Sequence, residues 1–277
     1  LRGTGTIDHG SRATQGNLSE NRVAKVCGLQ TDEIPVGYLC RLFHEVEDEN
    51  RNVILSLLEP CHGAKLLDLG CYDGEFTLQL ADRIGTDHIT GVELVPEFAA
   101  RSRARGIRVC EANLNMPLPL PDGGFDVILA NQVIEHLSDT DCFVSEIARL
   151  LSPQGYAIVS TNNLASLHNI VSLALGQQPP PAHVSNRVML GNALNPLDGI
   201  SLQHPSMSHL RIFSYHALRR FLAHNGLVAE RYRTIGFYPF PMAFARLLCY
   251  LLPVYGAFLT CKVRLADDLR SSKSALK

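Results

Sequence analysis

The sequence predicts an α/β protein whose mostly parallel sheet is covered by helices on both faces. Three observations carry this. Short, wholly apolar runs alternate with segments of helical period from about residue 65 to residue 160. The runs lack polar alternation, which marks strands buried on both sides. A glycine-bearing turn, Asp68-Leu69-Gly70-Cys71-Tyr72-Asp73-Gly74, joins the first run to the first helix of the series.

The elements follow in order. Residues 1–35 are rich in Gly, Ser, Thr and Asn and read as a flexible arm. The chain opens Leu1-Arg2-Gly3-Thr4 without Met or a signal-peptide pattern, so the start is read as trimmed or incomplete. Residues 36–58 form a helix with Leu39, Leu42, Phe43, Val46, Val53, Ile54, Leu57 and Leu58 on one broad face, ended by Pro60 and Gly63. Strands are expected at 65–69, 88–93, 107–110, 125–130 and 155–160, and helices at 75–84, 96–105 and 140–151. Pro153 and Gly155 are read as a turn before the fifth strand. A helix is expected at 164–175, then a long polar stretch with Pro179-Pro180-Pro181 up to His209, read as a lid. Ser214 caps a helix to His224, Gly226 stops it, and 227–235 alternates as a strand.

The apolar stretch 235–261 has the length of a membrane span. Arg246 at its centre and Pro239, Pro241 and Pro253 argue instead for a short helix at 242–252 and a last strand at 257–264. A helix apolar on most sides can also touch a membrane surface, and peripheral contact through 240–252 is held open. Of 277 residues 46% are apolar and 19% charged, with a net charge of −2, so a large core is available and no global basic field invites nucleic acid. The eight cysteines form no CxxC pair or ligand cluster and are read as buried free thiols of a reducing, cytoplasmic compartment.

Four segments carry chemistry. In the turn from Asp68 to Gly74, glycines permit conformations closed to other residues and let a ligand approach the main chain. The helix start beyond it offers free N–H groups. Glu93 closes the next strand, where a carboxylate accepts hydrogen bonds from ribose hydroxyls; this indicates a nucleoside without saying which. In Glu111-Ala112-Asn113-Leu114 a polar side chain beside a backbone amide suits an adenine edge, though alone it is an ordinary loop. Beyond the strand Phe125-Asp126-Val127-Ile128-Leu129-Ala130 come Asn131-Gln132-Val133-Ile134-Glu135-His136-Leu137, at the carboxyl end where ligands bind. A histidine there can serve as a general base. His168, His183, His204 and His209 are further candidates for an acceptor pocket.

Taken together, these segments resemble the Class I S-adenosylmethionine (SAM) dependent methyltransferases. The branch is the one that includes the ubiquinone-biosynthesis O-methyltransferases (type 11 and type 12-like). The likeness covers 65–160 and resumes at His209-Leu210-Arg211-Ile212-Phe213-Ser214, Leu218-Arg219-Arg220-Phe221-Leu222 and Asn225-Gly226-Leu227. It implies a Rossmann-like seven-stranded sheet, mostly parallel with the last strand antiparallel. It also implies a division into a SAM-binding core at 36–161, a substrate lid inserted at 162–208, the rest of the core with an apolar helix at 209–266, and a tail at 267–277. Asp68, Gly70, Cys71, Tyr72 and Gly74 would surround the methionine part of the donor. Glu93 would hold the ribose, with Leu94, Asn113 and Leu114 framing adenine and Asn131 and Gln132 near the sulfonium. His136 and Glu135 are the catalytic candidates.

Two departures stand out. Tyr72 occupies a place where the family often has Gly. Metal-binding relatives carry Glu-x-x-Glu-His where this chain has Gln132-Val133-Ile134-Glu135-His136, so no obligatory metal is expected. The function expected is methyl transfer to a small-molecule, lipid-linked or glycan acceptor, on oxygen. N- or C-methylation remains open because acceptor choice lives in the variable lid. RNA 2′-O-methylation would need Arg101, Arg103, Arg105 and Arg108 as a binding patch, whereas a solvated helix face is the plainer reading. An NAD-dependent oxidoreductase lacks its Tyr-x-x-x-Lys pair here. A non-catalytic SAM-binding protein is favoured only by Tyr72 and Gln132. Oligomeric state is not legible.

Overall fold

The structure, a computed structural model, describes residues 37–202, 204–267, 271 and 273. The expected arm at 1–35, Cys27 and most of the expected tail lie outside the described residues. The described residues begin with α1 (Tyr38–Leu57), followed by β1 (Leu66–Leu69), α2 (Glu75–Ile84), β2 (Ile89–Glu93), α3 (Pro96–Ala104), β3 (Arg108–Glu111) and β4 (Phe125–Asn131). A 3₁₀ turn at Ile134–His136 leads to α4 (Thr140–Leu150), β5 (Leu151–Asn162) and α5 (Leu167–Ala174). After a long irregular segment come α6 (Tyr215–His224), β6 (Leu227–Ile235), α7 (Met242–Leu251) and β7 (Phe258–Leu265).

The seven strands form one sheet in the order β3-β2-β1-β4-β5-β7-β6. Strands β1 to β5 pair in parallel, and β7 runs antiparallel to both β5 and β6. The continuous apolar runs have a direct cause. Side chains alternate across a strand, and here both faces are covered. Leu66, Val127, Leu129, Tyr156 and Ile158 pack with Ile54 and Leu57 of α1 and Leu80, Ala81 and Ile84 of α2. Leu67, Ile128, Ala130, Ala157 and Val159 face the other way, onto Phe143, Val144 and Ile147 of α4 and Leu218 and Leu222 of α6.

Three expectations are corrected. Pro153 and Gly155 do not form a turn before β5. The strand starts at Leu151 and passes through them with a shifted register opposite Phe125 and Val127. Gly155 allows this, because a Cβ there would lie 2.7 Å from the carbonyl oxygen of Asp126. The fifth helix begins at Leu167 because Asn163, fully buried, instead bridges the chain to Phe213 and the 254–256 loop. The described cysteines are all free, but only Cys40, Cys71 and Cys261 are buried; Cys61 is exposed. No helix among the described residues is long and apolar enough to cross a membrane. The stretch 235–261 resolves into a ten-residue helix and a strand, with Arg246 paired to Glu49 of α1. Outward on α7, Phe244, Leu247, Tyr250 and Leu251 are exposed.

Candidate active site

A cavity of about 760 Å³ opens at the carboxyl ends of β1, β2 and β4, which is where ligands bind in open parallel sheets. Its lining includes Asp68, Gly70, Cys71, Tyr72, Glu93, Leu94, Asn113, Leu114, Asn131, Gln132, Glu135 and His136. Of the residues singled out in the sequence for cofactor or catalysis, only Gly74 is not on the wall. It sits at the start of α2 with φ 79°, and a Cβ would meet Ile107 at 2.5 Å. Gly74 therefore packs the turn against β3's approach instead of facing the cavity.

The turn is built from left-handed positions, Gly70 at φ 81° and Tyr72 at φ 50°. Tyr72 and Gln132 (φ 55°) are the only non-glycine residues at positive φ among the described residues. Both line the cavity. Such strain costs of order 1–3 kcal/mol and persists where surrounding contacts over-determine it. For Tyr72 those contacts are visible. Its N–H donates to Glu93 Oε2 (2.9 Å), its carbonyl accepts from Ser102 Oγ (2.9 Å), and its ring lies 4.0 Å from that of Phe98. Gln132 is held as firmly: its N–H donates to the Ser160 carbonyl (2.8 Å), its Nε2 to Ser160 Oγ, and its Oε1 accepts from Asn162. The tyrosine that departs from the family pattern is thus accommodated by the turn's own bonds.

Carboxylates flank this turn. Asp68 is buried, accepts from Thr77 Oγ1 (2.6 Å), and burial pushes it up to about 7. Glu93 also accepts from the Val95 N–H (2.9 Å); burial raises its carboxyl above the ordinary range against those backbone donors. Cys71 is pushed up to about 12, chiefly by burial, and is no thiolate nucleophile. Asn113 accepts from Asn115 N and Nδ2, and Asn115 in turn accepts from Ser138 and Asp139. The β3 loop is thereby tied to the loop after His136.

The segment beyond β4 joins parts distant in sequence. His136 Nδ1 lies 3.1 Å from the Ser208 carbonyl and His209 Nδ1 lies 2.9 Å from that of Pro181. A carbonyl only accepts, so each Nδ1 carries the proton and each Nε2 is left as an acceptor. The rings of His136 and His209 are 4.8 Å apart, and His183 stacks on His209 at 4.4 Å. Burial lowers His183 to about 4 and holds His209 well below the ordinary histidine range. Glu135 is fully buried, accepts from Thr161 Oγ1 (2.9 Å) and Asn162 Nδ2 (3.2 Å), and is raised by burial. Ligand-capable atoms of Glu135, His136 and His209 all lie within 4.8 Å of one another. Of the other candidate histidines, His168, His183 and His209 line the cavity, whereas His204 is exposed and bonds Ser206. Arg101, Arg103 and Arg105 are paired with Glu97, Glu111 and Asp73.

The sequence reading missed α1 as a wall of the cavity. Asn50 is buried there, donating to Asn131 Oδ1 (3.1 Å) and accepting from Ser160 Oγ (3.2 Å) and Thr260 Oγ1 (2.6 Å). A signal existed: Asn50 falls four residues from both Val46 and Ile54, inside the apolar stripe.

The arrangement is an α/β fold with a cavity at the carboxyl edge of its sheet. Residues 67–159 match the family described as a methyltransferase domain. The chain is 40% identical over 108 residues to the "Probable S-adenosylmethionine-dependent methyltransferase" of Mycolicibacterium smegmatis, covering 39% of this chain and 41% of that protein. It is 38% identical over 112 residues to the ubiquinone biosynthesis O-methyltransferase of Azorhizobium caulinodans, covering 38% and 43%. The chain thus spans about two fifths of the length of these curated relatives. Among solved structures, a SAM-dependent methyltransferase of Mesorhizobium loti aligns with TM-score 0.52 and 20% identity over 80% of this chain and 99% of that one. One from Thermotoga maritima gives 0.52 and 19% over 80% and 91%. These share the fold. Residues 67–159 thus carry the match to methyltransferase domains, on a fold shared with SAM-dependent methyltransferases.

The matched family implies SAM as cofactor, and the wall fits that group. Gly70 has no room for a Cβ, which would lie 2.7 Å from Val133, and Glu93 stands at the end of β2. SAM supplies an electrophilic methyl on a sulfonium when bound.

Proposed function

We propose that the chain transfers a methyl group from SAM to oxygen of a small-molecule, lipid-linked or glycan acceptor, with His136 as general base. Glu93 holds the ribose hydroxyls, Leu94, Asn113 and Leu114 frame the adenine, and Asp68, Gly70, Cys71 and Tyr72 enclose the methionine part. Asn131 and Gln132 orient the reacting end. The observation that carries the base assignment is the Ser208 carbonyl on His136 Nδ1, which leaves Nε2 unprotonated toward the cavity. A hydroxyl acceptor held there gives its proton to Nε2 as the new carbon–oxygen bond forms. Glu135, beside the ring, stabilises the imidazolium so produced. Proximity of donor and acceptor supplies much of the remaining rate.

The test is His136→Ala with labelled SAM and cell extract as acceptor source. Methyl incorporation falls by about 10²- to 10⁴-fold while SAM still binds by calorimetry. Transfer at the original rate sinks the base role. Calorimetry with NAD in place of SAM shows no binding on this reading.

A second reading has a specific support. Glu135, His136 and His209 present clustered atoms, and carbonyls on both Nδ1 atoms leave Nε2 lone pairs available, as in metal-ligating histidines. A divalent cation would be held by these three and would lower the acceptor hydroxyl's pKa. Gln132, where relatives carry a carboxylate, weighs for the metal-independent reading. Dialysis against EDTA separates the two: activity unchanged supports the first, loss restored by Mg²⁺ or Zn²⁺ supports the second. Contact with a membrane surface through the exposed side of α7 is part of the proposal. It is supported by Phe244, Leu247, Tyr250 and Leu251 and is checked by vesicle flotation.

A further inference from the structure

The cavity extends beyond the part that faces Asp68, Glu93 and Asn113. Its other walls come from α1, α5 and the segments before α7 and β7: Leu39, Phe43, Leu167, Val171, Tyr238 and Phe258. Phe43 and Tyr238 pack against the cluster of Leu42, Val46, Ile235 and Phe258, and the His168 ring meets Tyr238 edge-on at 4.9 Å. On this largely apolar wall Glu47 Oε2 and His168 Nδ1 have no hydrogen-bond partner among the described residues. Both are enclosed, and both residues line the cavity. Buried polar atoms are nearly always bonded, so two unsatisfied atoms on residues of one cavity wall point to a ligand's polar group.

We propose that the α1–α5 end of the cavity is the acceptor subsite, shaped for a molecule with an apolar body and an uncharged hydrogen-bonding group that Glu47 and His168 bind. The assignment rests on the methyltransferase reading for the other end. The electrostatics agree with it. Burial pushes the Glu47 carboxyl up to about 8 and His168 down to about 4, so both are neutral at pH 7. A neutral carboxyl donates and accepts, and a neutral imidazole does the same. His44 Nδ1 lies 3.8 Å from Glu47 Oε2, on the same turn of α1. Arg51, the only Arg or Lys among the described residues of the cavity wall, acts on Glu47 through its charge but lies over the Phe76 ring, at 5.4 Å from its centroid. Among the described residues, an anionic acceptor would therefore be desolvated at this end with no cation bonded to it, which is costly. A neutral one gains the apolar wall and relieves both orphans.

The experiment uses the fluorescent neutral probe N-phenyl-1-naphthylamine with the full chain in the presence of S-adenosylhomocysteine. The expected result is saturable fluorescence, displaced by 4-heptylphenol at a concentration at least about tenfold lower than by 4-heptylbenzoate, which has the same body with a charge. His168→Phe and Glu47→Leu, which preserve bulk, each weaken 4-heptylphenol by about tenfold. Both leave the S-adenosylhomocysteine dissociation constant unchanged, which also certifies the fold. Equal displacement by the benzoate, absence of saturable probe binding, or unchanged affinity in both variants overturns the subsite. Failure of S-adenosylhomocysteine to bind the unmodified chain overturns the methyltransferase reading instead.

Discussion

Glu47 shows how a single side chain carries a signature of its surroundings. Its carboxyl is raised to about 8 from an ordinary 4.5, with burial the main cause, Arg51 opposing and Asp48 adding. The native state then keeps a proton that the unfolded chain has released. Stability contributed by this position is intact below the ordinary carboxylate range and is lost as pH rises from there to about 8. Glu47→Gln removes the titration. Its melting temperature relative to the unmodified chain is expected to climb between pH 5 and pH 8.5. A difference that stays constant across that span contradicts the raised carboxyl. His168, lowered to about 4, acts in the opposite direction: its contribution fades as pH falls from about 6.5 toward 4.

At the scale of elements, α1 decides the shape of the site. Asn50 ties it to the ends of β4, β5 and β7 through Asn131, Ser160 and Thr260. Asn50→Leu leaves buried polar groups on those strands without their partner, at a cost of about 2–4 kcal/mol. It should also weaken S-adenosylhomocysteine binding, because Asn131 loses the bond that orients it. Chemical denaturation and calorimetry read the two effects, and unchanged ligand binding would confine Asn50 to packing. The strand–helix series from β1 to α4 was legible to within a residue or two, because strands covered on both faces leave continuous apolar runs. That Glu93 and the turn from Asp68 lie on the cavity wall was legible for a related reason: they are local, and backbone demands at a tight turn show as residue types. The partners of His136 were not. Ser208 lies 72 positions away along the chain, and only tertiary packing brings it near. His209 was named as a pocket histidine, but its meeting with Glu135 and His136 needs the backbone bonds from Leu210 and Arg211 to the Glu135 carbonyl. Those bonds leave no mark on the sequence.

For the whole molecule, the family match at 67–159 covers the turn from Asp68 to Gly74 and part of the cavity wall, but not α1 or the wall residues after Asn162. A fragment limited to residues 60–267 keeps all seven strands yet loses α1. Val127, Leu129 and Tyr156 are then deprived of Ile54 and Leu57. The fragment is expected to bind an apolar dye nonspecifically and to lose measurable affinity for S-adenosylhomocysteine, and retention of full affinity would show α1 to be dispensable. The bond between Asn50 and Thr260 joins residues 210 positions apart. Contacts of such separation close late, since loop entropy must be overcome first. A chain emerging from the ribosome can therefore assemble β1 to β5 and expose a donor turn without a finished pocket. Only when β7 has been made and inserted does the latch engage. On the proposed function, competence to bind the methyl donor is expected only once synthesis has passed position 260, and chains truncated before Thr260 are expected to bind none.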